Sequence, residues 1–268
     1  TGLADLSVTT NGVTVTAAQP FAGLKANQGA RAYTDIGAGL DQNLNQGEFE
    51  WADYDGDGDL DLLAASKQKT TIYQNVGGDV FGKVNTGIIG VGNGASADWG
   101  DYDSDGDLDL AVSGYNGNVD SVVTRIYRND GSGSFTWLKA GLTGVDRSAV
   151  KWGDYDQDGD LDLVVAGYNK QDNPITRIYR NDGTDFTNIS AGLKGAALGA
   201  VDWGDYDSDG DLDLIVTGQG SDVVNQTLLY RNDGGGTFAK VSTDLPEGKS
   251  GAVQWGDYNE DGKPDLLL

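Results

Sequence analysis

The chain has no cysteine, no histidine and no methionine among its 268 residues. Without cysteine there is neither a disulfide framework nor a thiolate metal site. Without histidine a Ser-His-Asp triad, a Cys-His pair and the usual zinc sites are excluded. There are four prolines, and basic residues are scarce, 18 against 42 acidic, for a formal net charge of −24. Such a balance excludes nucleic acid and anionic membrane surfaces as electrostatic partners. No apolar run approaches the roughly 20 residues a spanning helix needs, so no membrane insertion is expected, and no charged segment leads into an apolar one at the N-terminus. A chain that opens at Thr1 rather than Met suits a processed or excised segment.

What the chain does have is one acidic string written five times: DYDGDGDLD from Asp53, DYDSDGDLD from Asp101, DYDQDGDLD from Asp154, DYDSDGDLD from Asp205 and DYNEDGKPD from Asp257. Each follows a Trp-Gly or Trp-Ala pair, so Trp51, Trp99, Trp152, Trp203 and Trp255 recur at intervals of 48, 53, 51 and 52 residues. The strings hold 24 of the 42 acidic residues; outside them 18 acids face 17 bases. The excess charge is therefore local to the loops, and the remaining surface is near neutral.

A period of about fifty residues means a repeat architecture, to be counted in repeats rather than domains. In the third copy the pattern predicts strands over Ala149 to Asp154, Leu161 to Ala166, Ile175 to Arg180 and Phe186 to Ser190. The last two are joined by Asn181-Asp182-Gly183, which supplies the positive φ a tight hairpin needs. Four antiparallel strands per fifty residues is the signature of a β-propeller blade. The expectation is an all-β, five-bladed propeller forming one domain, with blades over 48–94, 95–147, 148–198, 199–250, and 251–268 plus 1–47. Closure is expected from the N-terminal segment, because Tyr33 to Leu40 (YTDIGAGL) matches Phe186 to Leu193 (FTNISAGL), and Val13, Val15 and Ala17 alternate as a further strand. The alternative is part of a longer ring of six to eight blades.

The pattern D-x-D-x-D-G-x-x-D places side-chain oxygens at positions 1, 3, 5 and 9, a glycine at 6 for a sharp turn and a carbonyl at 7, which suits a hard divalent cation such as Ca²⁺. The candidate ligand residues are Asp53, Asp55, Asp57, Asp59 and Asp61; Asp101, Asp103, Asp105, Asp107 and Asp109; Asp154, Asp156, Asp158, Asp160 and Asp162; Asp205, Asp207, Asp209, Asp211 and Asp213; and Asp257, Asn259, Asp261, Lys263 and Asp265, with position 7 acting through its backbone. Up to five ions, one per blade, are expected. So many carboxylates within nine residues cannot all stay ionised at close range without a cation. No EF-hand is implied, since position 12 is Ala64 in the first loop and Val165 in the third.

With these motifs the chain resembles the FG-GAP and VCBS family of calcium-binding propeller repeats, found in integrin α-subunit heads and in secreted bacterial proteins. Phe81-Gly82 with Gly94-Ala95-Ser96 echoes the pair of motifs that names the first family, and Gly199-Ala200-Val201 and Gly251-Ala252-Val253 repeat the second half without its proline. The resemblance covers residues 33–268 and implies a calcium-stabilised propeller; integrin heads have seven blades, which weakens any analogy of partner.

In a four-stranded meander the acidic loops share one face with the third turn, and the most varied segments, such as 116–121, 169–174 and 219–225, lie on the other. Variation on a repeated scaffold is where binding sites are built. Tyr115 and Tyr168, each in Gly-Tyr-Asn, are the candidate ligand contacts there, with Trp137, an outer-strand aromatic where other copies carry Lys83, Asn188 or Lys240. The recurring tryptophans read as packing between blades, and Arg125, Arg128, Arg177 and Arg180 as braces for nearby carboxylates. A non-catalytic recognition or adhesion module is expected, monomeric within a larger protein, with an extracellular glycan or protein as partner. A scaffold without a ligand and a polysaccharide lyase are the alternatives. Loops lacking a position-12 Glu bind Ca²⁺ at about 10⁻⁴ to 10⁻³ M, so a secreted or cell-surface setting is expected.

Overall fold

The computed structural model describes residues 7–10, 13–16, 40–41, 48–66, 68–78, 80–131, 133–249 and 251–268, in two compact units, Thr1–Ile36 and Gly37–Leu268. In the first unit β1 (Ser7–Thr10) pairs with β2 (Val13–Thr16) in a two-stranded antiparallel sheet. Val13 and Val15 thus lie in a strand, whose partner is β1. Residues 33–39 and Ala17 of the expected closing strands lie outside the described residues.

The second unit is built from successive antiparallel sheets in simple meander order. The first has β3 (Glu48–Ala52), β4 (Asp61–Ser66), β5 (Lys69–Asn75) and β6 (Phe81–Val84); the second β7 (Gly92–Gly100), β8 (Asp109–Asn116), β9 (Ser121–Asn129) and β10 (Phe135–Leu138). The third has β11 (Asp146–Gly153), β12 (Asp162–Tyr168), β13 (Pro174–Asn181) and β14 (Phe186–Asn188), and the fourth β15 (Val201–Gly204), β16 (Asp213–Gln219), β17 (Asn225–Asn232) and β18 (Phe238–Val241). The fifth has two described strands, β19 (Gln254–Gly256) and β20 (Asp265–Leu267). The third sheet matches the expected strands within three residues at each end. Bulges between Gly92 and Ser96, and between Asp146 and Ala149, lengthen β7 and β11 at their starts.

Each second strand is a continuous apolar run, as strands covered on both faces must be. Leu62, Leu63, Ala64 and Ala65 in β4, and Leu163, Val164, Val165 and Ala166 in β12, are all buried. The core therefore lies between neighbouring sheets, as in the cluster of Tyr54, Leu63 and Ile72 with Ala97, Leu110 and Tyr127. No helix occurs among the described residues.

Neighbouring sheets meet in a recurring joint. The tryptophan of one first strand lies on the glycine after the tryptophan of the sheet before it, so tightly that a Cβ at Gly100 would come within 2.7 Å of Trp152, at Gly153 within 2.5 Å of Trp203 and at Gly204 within 2.5 Å of Trp255. The tyrosine of the acidic loop then stacks on the next sheet's tryptophan and phenylalanine. Three triads are complete: Tyr54 with Trp99 and Phe135, Tyr102 with Trp152 and Phe186, and Tyr155 with Trp203 and Phe238, all at centroid separations of 5.6–6.3 Å. Trp152 and Trp203 are 7% and 9% exposed, as packing between blades requires. A second clasp joins the outer edge: the Tyr127, Tyr179 and Tyr230 hydroxyls accept the amides of Ile89, Thr143 and Lys194. Tyr73 accepts the Asp41 amide in the same way, and Leu40 packs beside it.

Candidate metal loops and the opposite face

In every acidic loop the backbone is held open by the first carboxylate. Asp53, Asp101, Asp205 and Asp257 each accept the amides of positions 5 and 6, and Asp154 accepts that of Gly159. The position-6 glycines Gly58, Gly106, Gly159, Gly210 and Gly262 have φ between 81° and 101°, where a side chain would be strained. Position 4 is also left-handed in every copy, although only Gly56 there is glycine; Ser104, Gln157, Ser208 and Glu260 adopt φ of 57–62°.

Position 9 anchors the loop from below. Asp109, Asp162 and Asp213 are fully buried; each takes the amide of the loop tyrosine on one oxygen and the amide of Asn129, Asn181 or Asn232 on the other. Burial pushes their carboxyls up to about 7, 8 and 6 respectively, against the hydrogen bonds that favour the charged form. Asp61 repeats the bonds in the first loop and is raised by burial too.

Carboxylate oxygens converge within 4.8 Å in four places: Asp53, Asp55 and Asp57; Asp101, Asp103 and Asp109; Asp154, Asp156 and Asp162; and Asp205, Asp207 and Asp213. In the first three of these groups Oδ1 of Asp55, Asp103, Asp154 and Asp156 is buried without a hydrogen-bond partner. Buried oxygens of this kind are costly unless a cation or proton satisfies them. The donor set is all oxygen and fits a hard metal ion, held by positions 1, 3 and 5 in the first loop and by positions 1, 3 and 9 in the next three. Position 5 (Asp57, Asp105, Asp158, Asp209) also accepts the amide of position 7. The position-7 side chains point elsewhere: Asp211 accepts Gln157 Nε2 from the neighbouring loop, and Asp107 and Asp160 lie beside Gly131 and Gly183 of the third turns. In the fifth loop Asp257, Asp261 and Asp265 form no such carboxylate group; Asn259 stands at position 3 and accepts the Asp261 amide, and Lys263 donates its own amide to Asp261.

On the opposite face Tyr115 and Tyr168 end β8 and β12, half-buried, and each is tied to a neighbouring sheet. Gln68 of the first sheet bonds the Tyr115 carbonyl and the Gly117 amide, while the Tyr115 hydroxyl donates to Asp120. The Tyr168 hydroxyl donates to Gln219 of the fourth sheet, and the Arg147 guanidinium lies 4.6 Å from the Tyr168 ring centroid. Asp120, Arg147 and Asp172 around them all have φ of 45–54°, a strained backbone of the kind that gathers at binding sites. Trp137 stands apart on the outermost strand, 42% exposed and covered by Arg125 at 3.8 Å.

The arginines differ from the expectation in part. Arg125 bonds the Tyr127 hydroxyl and Arg177 the Thr143 hydroxyl, because their side chains run along the outer edge of the sheet rather than toward the loops. Arg128 and Arg180 do act on carboxylates, offsetting the burial that raises Asp103 and Asp156.

A feature absent from the sequence reading is a cavity of about 610 Å³ lined by the first strands of all five sheets, with Glu48, Glu50, Asp98, Lys151, Asp202 and Gln254 on its wall. Lys151 pairs with Asp98 at 2.8 Å. Burial, with the charges of Glu50 and Asp98, pushes Glu48 up to about 7. The signal was present: the residue before each tryptophan is polar, Glu50, Asp98, Lys151, Asp202 and Gln254 in turn.

Fold and loops together define a class: repeated four-stranded β-blades with an acidic, cation-competent turn between the first two strands. The chain belongs to the FG-GAP-like repeat family, whose model matches residues 53–112, 112–165, 154–216 and 205–268. No curated protein matches the chain. Among solved structures it is similar to an Agrocybe aegerita lectin described as specifically recognising non-reducing terminal N-acetylglucosamine, at 20% identity and a TM-score of 0.55. The match covers 82% of this chain and 60% of the lectin, so the chain spans less than two thirds of that protein's length.

Proposed function

We propose that this chain is a calcium-stabilised, non-catalytic recognition module of a secreted or cell-surface protein, binding a glycan on the face opposite its acidic loops. The observation that carries the reading is the pair of tyrosine platforms, Tyr115 and Tyr168, each fixed by a neighbouring sheet and set among strained residues on that face. Aromatic rings held rigid, with polar groups such as Arg147 and Gln219 beside them, suit a sugar's apolar face and its hydroxyls. The likeness to a lectin fold supports this reading, and glycans ending in N-acetylglucosamine are the first ligands to test.

Calcium is the ion of choice because four clusters of carboxylates present an all-oxygen set, with buried unpartnered oxygens in the first three. The first four loops take one ion each, and the fifth, with Asn259, binds more weakly. Affinities of about 10⁻⁴ to 10⁻³ M suit extracellular calcium. Stability and recognition are separable by experiment. EGTA lowers the melting temperature, and an unchanged value would remove calcium from the reading. Binding on a glycan array is lost in Tyr115→Ala and Tyr168→Ala while the melting temperature holds; an array silent with wild-type protein leaves a scaffold without a ligand.

A further inference from the structure

Gln157 stands at position 4 of the third acidic loop, yet its side chain serves the fourth. Both hydrogens of Nε2 are used there, one on the Gly210 carbonyl at 2.7 Å and one on Asp211 Oδ1 at 2.8 Å. Gly210 and Asp211 are the residues that aim the fourth loop's carboxylates: the Gly210 amide donates to Asp205 at position 1 and the Asp211 amide to Asp209 at position 5. The peptide between them is thus held on its carbonyl by Gln157 and on its N–H by Asp209.

The same residue sits inside the third cluster. Its backbone, at φ 59°, joins Asp156 and Asp158, positions 3 and 5. The third loop is also where position 1 is least satisfied. Asp53, Asp101, Asp205 and Asp257 each take the amide of position 5 on Oδ1, whereas Asp154 Oδ1 is buried without a partner. A cation there supplies what the amide supplies elsewhere. The other loops lack the means to reach a neighbour in this way. Gly56, Ser104 and Ser208 at position 4 are too short to span the gap, and Glu260 has no N–H to give.

We infer that Gln157 is a positioning residue shared by two ion sites and makes cation binding at the third and fourth loops cooperative. The inference rests on the calcium reading of the loops and not on the glycan site. Once the third loop's carboxylates are held around a cation, the Gln157 backbone is fixed and its side-chain amide is already aimed when the fourth loop closes. By linkage, filling the fourth loop favours the third equally. Repulsion between two ions acts the other way, but across exposed loops physiological salt screens it beyond about 8 Å.

Calcium titration of the full chain at physiological salt tests it, with the NMR amide signals of Gly159 and Gly210 reporting the third and fourth loops and that of Gly58 the first. Asp207→Ala disables the fourth loop and raises the calcium concentration that half-fills the third by about fivefold, the lower end of allosteric couplings, while Gly58 keeps its midpoint. In a Gln157→Ser background the same substitution leaves the third loop's midpoint unchanged. Serine keeps the loop intact, since Ser104 and Ser208 already hold this position at φ 57° and 62°. A third-loop midpoint that ignores Asp207→Ala overturns the inference. So does a shift that persists with Gln157→Ser, which would assign the coupling to Asn232, the other residue tying these loops. Glycine signals that do not respond to calcium at all overturn the calcium reading itself, and the inference falls with it.

Discussion

Gly153 and Gly256 hold the same place in the repeat, directly after Trp152 and Trp255, yet alanine should act oppositely at the two. Neither has a positive φ, so the backbone accepts alanine at both. At Gly153 the new methyl would sit 2.5 Å from Trp203 Cδ1 and 2.8 Å from Nε1. Carbon contacts settle at about 3.5–4.0 Å, so the indole must retreat by roughly an ångström. Trp203 is wedged between Tyr155 and Phe238, and its retreat opens both contacts. Exposing roughly 50–100 Å² of apolar surface at about 25 cal/mol per Å² costs about 1–2.5 kcal/mol, within the usual range of about 1–3 for overpacking. Removing a glycine from the unfolded chain returns about 0.4–1 kcal/mol. The net expectation for Gly153→Ala is a loss of up to about 2 kcal/mol, and for Gly256→Ala, which meets nothing, a gain of about 0.4–1. Urea unfolding in calcium at sub-micromolar protein, with unchanged m-values, measures both. Equal effects at the two sites would refute the claim that the joint, rather than the glycine itself, sets the cost.

Asp162→Ala leaves the buried Tyr155 and Asn181 amides unpaired and should cost about 2–6 kcal/mol in calorimetric or urea unfolding, at roughly 1–3 per orphaned group; a loss under half a kcal/mol would show that water replaces the carboxylate. Glu48 titrates at about 7 when folded against 4.5 as its ordinary value. A raised acid favours folding fully below its unfolded value and loses that contribution as pH rises from 4.5 through 7. Glu48→Gln should therefore be neutral near pH 4 and stabilising by about 1–2 kcal/mol at pH 8, after allowance for partial solvent screening. A gain that does not depend on pH would mean packing, not charge, is responsible.

Much of the fold was legible because its signals are local. The apolar run from Leu163 to Ala166 marks β12, the Asn181-Asp182-Gly183 turn marks the β13–β14 hairpin, and each recurring tryptophan marks the first strand of a sheet. The acidic loops were legible down to the position-6 glycine, since only glycine is at ease there. The left-handed position 4 was not, because Gly, Ser, Gln and Glu all occupy it and the hydrogen bonds to position 1 impose the conformation. Arg125 and Arg177 were misread because charge alone suggested carboxylate partners, whereas strand direction takes them to hydroxyls on the outer edge. The exposure of Trp51 could not be read at all. Its sequence surroundings match those of Trp152, yet among the described residues Phe81 alone meets its ring, where Trp152 has both Tyr102 and Phe186.

The acidic loops and the joints are one system, and this bears on how the protein should unfold. Asn181 receives the Asp162 carboxylate on its amide and passes its side chain to the Tyr102 carbonyl of the preceding loop. Tyr102 in turn stacks on Trp152, and its own amide rests on Asp109. Asp109 holds Asn129, which reaches back to Tyr54. Each loop is therefore wired through a buried carboxylate and an asparagine to the loop before it. A charge left unbalanced at Asp162 strains a bond to the neighbouring sheet as well as its own turn. Repeat proteins unfold unit by unit when the interfaces are weak relative to the units. Here the contacts that shape the unit are the same ones that join it to the next, so loss of cations should unfold sheets together rather than singly.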